Sequence, residues 1–276
     1  LQVGEARMIA EAAKEAGVVT QMGIQGHSMD GMRQIKEWID AGVIGEVTEV
    51  ESWCSLCNYP WGHEYWSSKC GTRPTETPPV PATLDWDLWL GPAPSRPYHS
   101  CYHPLTWRAW WDFGSGMICD RGTHQMDPIY YALDLDYPET VEAYVTDLNK
   151  ETHPLAVVAR YEFPAKGKRG PVTFTWYDGL QPPRPRELSD SDVLGEKEGG
   201  TLFKGSEGML TCNIYGGNPR LVPAERMAKF TPPAPTIPRI TVPHEIEWIN
   251  AIKEGRKACA DFSYSGPLTE VCQLGN

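Results

Sequence analysis

The chain has 276 residues, 41% of them hydrophobic, and a formal net charge of -11. That length supports one large domain, or one domain and part of another, and the acidic balance excludes a nucleic-acid groove or a polybasic membrane patch. No apolar run approaches the roughly 20 residues that span a bilayer, and no basic segment followed by an apolar stretch opens the chain.

Gly4 to Ala16 carries Ala6, Ile9, Ala10, Ala13 and Ala16 at helical spacing, with Gly17 as a natural stop. Val18 to Met22 reads as a short buried strand, and Gly23 to His27 as the loop after it. Ser28 or Asp30 can cap a second helix that runs through Ile35 and Trp38 to about Ala41. Glu46 to Trp53 alternates apolar and polar residues as a strand does. This helix–strand–loop–helix–strand rhythm belongs to a parallel α/β sheet, yet only about one such unit precedes Glu46. Residues 1–45 therefore read as the tail of a Rossmann-like domain.

Cys57 to Tyr102 is rich in Pro, Gly and Trp and reads as an irregular connector, with a short helix near Trp86 to Leu90. Ser115 to Leu133 is a strong helix. Strand-like segments follow at Thr140–Val145, Val157–Phe163, Val172–Tyr177, Gly200–Phe203 and Gly208–Ile214, with hairpin loops at 167–170 and 204–208. Gln181 to Glu198 is a long polar loop, and Leu221 to Pro243 an extended Pro-rich arm. His244 to Glu254 is a late helix, and the chain ends inside another helical stretch. The fold class is α+β: residues 46–276 form an antiparallel-rich sheet domain with helices on one face.

The chemistry concentrates between Trp107 and Asp127. A Gly-containing turn leads into a helix in which Asp120 and His124 stand at i and i+4, on one face. Asp127 is three residues beyond His124 and can also reach it. A carboxylate one turn from an imidazole can fix its tautomer and raise its basicity, as a general acid/base requires. Pro128 lacks the N–H that would bond the His124 carbonyl, and Gly122 weakens the same turn. From spacing alone, a buried, satisfied His–Asp pair without catalytic duty is the plainer reading.

The stretch Gly114-x-Gly-x-x-x-Asp120-x-Gly122-x-His124-x-x-Asp127 resembles the helix signature of the glucose–fructose oxidoreductase / inositol dehydrogenase / rhizopine-catabolism family. Gln21 to His27, Ala41 to Val47, Asp87 to Pro94, Pro219 to Pro223 and Gly266 to Glu270 resemble its bacterial branch with an extended C-terminal domain. The likeness runs over essentially the whole chain, with the motifs in order. It implies an NAD- or NADP-dependent oxidoreductase acting on a secondary hydroxyl of a sugar, cyclitol or glycoside. Transient keto-sugar formation, leading to epimerisation or glycoside cleavage, is the alternative outcome. It further implies that Asp120 and His124 are the acid/base pair. Gly23, Gln25, His27, Trp107 and Arg108 would lie at the cofactor, and Asp127, Trp110, Trp176 and Tyr177 at the substrate.

The family's Gly-x-Gly-x-x-Gly loop, whose backbone cradles the cofactor pyrophosphate, is not found. Its Glu-Lys-Pro motif would end just before Leu1. The chain is thus expected to be a fragment, cut at both ends and inactive alone. Homo-oligomerisation through the sheet and a cytoplasmic location are the accompanying expectations, with periplasmic export as the alternative.

The eight cysteines are scattered and read as free thiols. Cys54-x-x-Cys57 with His63 and Cys70 offers a zinc donor set, but its second half is loosely spaced, and no metal is assigned. A non-catalytic carbohydrate-binding module stacking sugars on Trp61, Trp66, Trp110 and Trp111 is the rival outside enzymology. A structural or oligomerisation domain is the third.

Overall fold

A computed structural model describes residues 2–56 and 70–276. Its centre is a seven-stranded sheet in the order β2-β3-β4-β1-β5-β6-β7. The strands are β1 (Val47–Cys54), β2 (Thr140–Val145), β3 (Val157–Phe163), β4 (Val172–Asp178), β5 (Gly199–Gly205), β6 (Gly208–Cys212) and β7 (Arg220–Val222). Among the described residues, β1 and β4 pair in parallel and every other neighbour pair is antiparallel. This is the expected α+β architecture. β1, first in sequence, sits in the middle of the sheet, and its last five residues are all buried.

One face of the sheet is a continuous apolar core. Val50 and Cys54 of β1, Phe174 and Trp176 of β4, Phe203 of β5 and Leu210 of β6 project into it. Helix α4 (Gly116–Ala132) lies across this face and contributes Met117, Ile118, Met126 and Ile129. Two further helices back α4: α2 (Asp30–Asp40) and α7 (Phe262–Gly275). Helix α1 (Val3–Ala16) packs on α7, with Gly17 closing it in the left-handed conformation. Among the described residues, the opposite face holds a smaller cluster of Trp53, Leu188, Leu202 and Val222. Beyond it, Lys204 bridges Glu49 and Glu51, each at 2.8 Å.

Three sequence expectations need correction. Val18 to Met22 is not a strand: it pairs with no strand among the described residues, and the Met22 N–H donates instead to the Ala260 carbonyl at 3.0 Å. The loop expected at 23–27 closes into a 3₁₀ turn over Gln25–Ser28. The Pro-rich arm is not wholly irregular: it starts with β7, turns into the short helix α5 (Ala224–Ala228) and is then pinned to α2. There, Glu37 accepts hydrogen bonds from Thr236 N, Ile237 N and the Arg239 guanidinium. The short helix near Trp86 is α3 (Trp86–Leu90), and the late helix is α6 (His244–Glu254). No helix of the described residues is long and apolar enough to cross a membrane.

Candidate active site

Helix α4 is fixed in rotation by Gln125, which is fully buried among the sheet residues. Its amide nitrogen donates to Trp53 O at 2.7 Å and to Ser52 Oγ at 3.1 Å, and Ser52 Oγ in turn contacts Thr201 Oγ1 at 3.0 Å. A helix turns by about 100° per residue. With Gln125 locked onto the strands, His124 and Asp120 must leave the sheet face together.

His124 is half-buried, and its ring meets the Tyr215 ring edge-to-face at 5.1 Å. Its Nδ1 is enclosed and has no hydrogen-bond partner. Burial therefore pushes the His124 pKa below its ordinary value, against the opposing pull of Asp120. The imidazole is neutral near pH 7.

Asp120 does not hydrogen-bond His124, contrary to expectation. Its carboxylate accepts from Arg108 Nε at 2.7 Å, and Arg108 lies over the Trp107 ring at 4.5 Å. Asp120 thus acts on His124 through charge alone. Asp127 is also engaged elsewhere. It is buried, accepts from His27 Nδ1 at 2.8 Å, and accepts from the Tyr264 hydroxyl at 2.6 Å. His27 is equally buried, between the Tyr131 and Tyr264 rings. The His27–Asp127–Tyr264 set therefore clamps the 23–28 segment, α4 and α7 together. His27 and Asp127 themselves are 2% and 1% exposed, contrary to the expectation that they face cofactor and substrate.

Two tryptophans expected at the substrate are core residues. Trp110 and Trp176 are each 0% exposed. Trp110 donates to the Cys101 carbonyl at 2.9 Å, and Trp176 lies beneath Gly122 of α4. Tyr177 follows Trp176 on β4, so its side chain points to the opposite face of the sheet, beside Glu51. These two neighbours cannot touch the same sugar. Trp111 packs on His153 at 3.7 Å and donates to Asn149 O, so part of its ring is already engaged within the protein. Trp61 and Trp66, and Cys57 and His63 of the zinc set, lie outside the described residues. Cys54, the first of that set, is buried in β1.

The 23–28 segment does approach His124, through a turn the sequence did not single out. Asn213 Oδ1 accepts from Tyr215 N and Gly217 N, closing the turn after β6. A side chain on Gly26 would come within 2.8 Å of Tyr215 O, and one on Gly31 within 2.3 Å of Gly216 O. Backbone thus meets backbone here, which only glycine allows. Gly23 and Gln25 stay exposed on the same segment. Tyr215 takes a hydrogen bond from Arg121 Nη1 at 3.1 Å, and Arg121 Nη2 lies 3.4 Å from Glu198. The group brought together is His124, Asp120, Arg108, Arg121, Tyr215 and Glu198: a neutral imidazole among alternating charges. Tyr215 carried a faint signal, an Asn-x-Tyr-Gly-Gly run that marks a turn where the sequence suggests the end of a strand.

The family described as "Oxidoreductase family, C-terminal alpha/beta domain" matches residues 29–167. No functionally curated protein matches the sequence. Among solved structures, an oxidoreductase from Thermotoga maritima is similar over 100% of this chain and 66% of its own, at 13% identity and a TM-score of 0.56. A levoglucosan dehydrogenase solved with NADH and levoglucosan is similar over 99% of this chain and 67% of its own, at 15% identity and TM-score 0.55. The WlbA dehydrogenase of Bordetella pertussis, solved with NADH and UDP-GlcNAcA, is similar over 98% and 63%, at 14% identity and TM-score 0.53. The chain spans about two thirds of the length of these proteins, and at such identities the likeness is one of fold.

Proposed function

The chain belongs to the glucose–fructose oxidoreductase / inositol dehydrogenase / rhizopine-catabolism family of oxidoreductases, and on that premise we propose that it supplies the substrate side of a nicotinamide-dependent oxidation of a secondary hydroxyl on a sugar, cyclitol or glycoside. The observation that carries the proposal is the His124 imidazole: neutral, half-open and without a protein hydrogen-bond partner, one turn from a carboxylate. A base in that state takes the hydroxyl proton as the carbon loses hydride. Asp120 favours the resulting imidazolium through space. Arg108 keeps the Asp120 carboxylate in place, and Arg121 and the Tyr215 hydroxyl are the polar groups next to the ring.

The described residues do not fit the whole dinucleotide. A pyrophosphate is held by backbone N–H groups at a glycine-rich turn from strand to helix. Here α1 opens at Val3, capped by Gln2 and Glu5, and α2 follows a 3₁₀ turn. Gly114-Ser115-Gly116 opens α4 without a preceding strand. No step is therefore assigned to the cofactor; the proton is this chain's own part. Gly23, Gln25 and Trp107 are proposed to border the nicotinamide end.

Turnover tests the reading. With the chain carried alongside a nucleotide-binding domain, NAD or NADP reduction is followed across hexoses, inositols and glycosides. His124→Ala is expected to lower turnover by about 10²- to 10⁴-fold, the share of a general base, while calorimetric sugar binding persists. Unchanged turnover in that variant would remove the proposal.

A further inference from the structure

Residues 70–115 form a lobe beside α4 with almost no regular structure: the five-residue α3 and a 3₁₀ turn at Thr106–Ala109. No strand of the sheet enters it. Its interior is aromatic. Trp86 and Trp89 stack at 4.8 Å, Trp89 meets Phe113 at 4.7 Å, and Tyr102 meets Trp110 at 4.6 Å. Arg96 is buried among these rings, over Tyr102 and Phe113, with its charge answered by Asp112 and Glu151. A segment this short, with a buried cation and few aliphatic side chains, has little core of its own. Such units are commonly held by a disulfide or a metal ion.

Three donors converge at the edge of that interior. One ligand atom each from Cys70, His99 and Cys101 lies within 4.8 Å of the other two. Cys101 is buried, and Cys70 and His99 are half-buried. We propose that Cys70, His99 and Cys101 bind one divalent zinc-class ion that staples the lobe. Two thiolates and an imidazole select a borderline-soft cation and not Mg²⁺ or Ca²⁺. Three protein ligands leave a fourth tetrahedral position for water or another donor. His99 has a competing use for its lone pair, since Nδ1 accepts from the Cys101 N–H at 3.2 Å. If Nδ1 is the ligand, metal binding releases this long contact.

The site lies apart from His124, but not without consequence for it. Cys101 takes the Trp110 indole on its carbonyl, and the same stretch carries Arg108 to Asp120. An ion here would hold the strip of chain that presents Arg108.

The test is metal content. The chain is purified with Zn²⁺, dialysed free of loose metal and analysed by mass spectrometry for metal. One zinc per chain is expected. Co²⁺ in its place should give the intense near-ultraviolet band of cobalt–thiolate bonding. His99→Ala and Cys101→Ser should each weaken retention on the order of tenfold or more, while Cys259→Ser should not. Should those variants fail to fold, alkylation of the unaltered chain decides: zinc must protect Cys70 and Cys101 from iodoacetamide and leave Cys259 unprotected. Zinc well below one per chain, no cobalt–thiolate band, equal alkylation with and without zinc, or a Cys70–Cys101 disulfide in a non-reducing peptide map would each overturn the proposal.

Discussion

The sheet with α4 and the lobe at 70–115 lie side by side but are held together by different means. In the sheet body, strand ladders satisfy the backbone and a large mixed aliphatic and aromatic core fills one face. In the lobe, turns and side chains carry the hydrogen bonds, the apolar cluster is small, and a buried arginine is neutralised by carboxylates. The body can lose a polar contact and keep its shape, because burial dominates its stability. The lobe depends on a few specific contacts, so its failures should be local. The difference teaches where the candidate site is robust. His124 stands on the body, whereas the charge behind it, Arg108, stands on the lobe.

Phe203→Ala strikes the body hardest. The side chain is fully buried in the central core, and its removal should cost about 3–5 kcal/mol. Urea unfolding should show lobe and sheet melting together; a lobe that kept its structure would break the comparison. Acid comes next. His153 sits at the seam, where its N–H donates to Ala109 O, Thr152 bridges Trp110, and its ring packs on Trp111. Burial lowers the His153 pKa to about 4, below the roughly 6.5 of an unfolded histidine. The unfolded chain then binds more protons between those values, so stability is full above about pH 6.5 and falls as pH drops towards 4. The loss is on the order of 3 kcal/mol at most. Thermal midpoints of the protein and of His153→Asn across pH 4–7 should converge on the acid side; parallel curves would clear His153 of this role. Arg96→Ala should have the smallest global effect, about 1–3 kcal/mol. Hydrogen exchange should show lost protection within 84–113 and little change in β1, β4 and β5. Uniform loss would mean that the lobe and body form a single cooperative unit.

The same contrast governs what could be read from the sequence. The body was legible because its pattern repeats: β4 alternates buried and half-buried residues at period two, and α1, α2 and α4 recur at helical spacing. Asp120 and His124 could be paired because they share a helix. What escaped lies between elements. Tyr215 reaches His124 from a turn 91 positions away by residue number, and Gln125 was hidden as one polar residue in an apolar helix face. The Cys70–His99–Cys101 convergence has no period and no familiar spacing, whereas the looser zinc set drew on Cys54, which the sheet buries. The placement of Trp176 with Tyr177 at a sugar conflicts with the strand's own alternation. The residue types suggested aromatic stacking, and the geometry of the strand denies it.

The position of β1 has a consequence for how the molecule comes to exist. Its left neighbour in the sheet is β4 and its right neighbour is β5, and Ser52 pairs across to Thr201, 149 residues later. During synthesis this strand emerges ahead of both neighbours, and its two edges stay bare until β4 and then β5 follow. Ladders that close over such separations form slowly, since the loop entropy is lost before the contacts compensate. The most buried strand of the finished sheet is therefore the one longest exposed to wrong partners on the way there, and a chaperone's grip matters most over those eight residues.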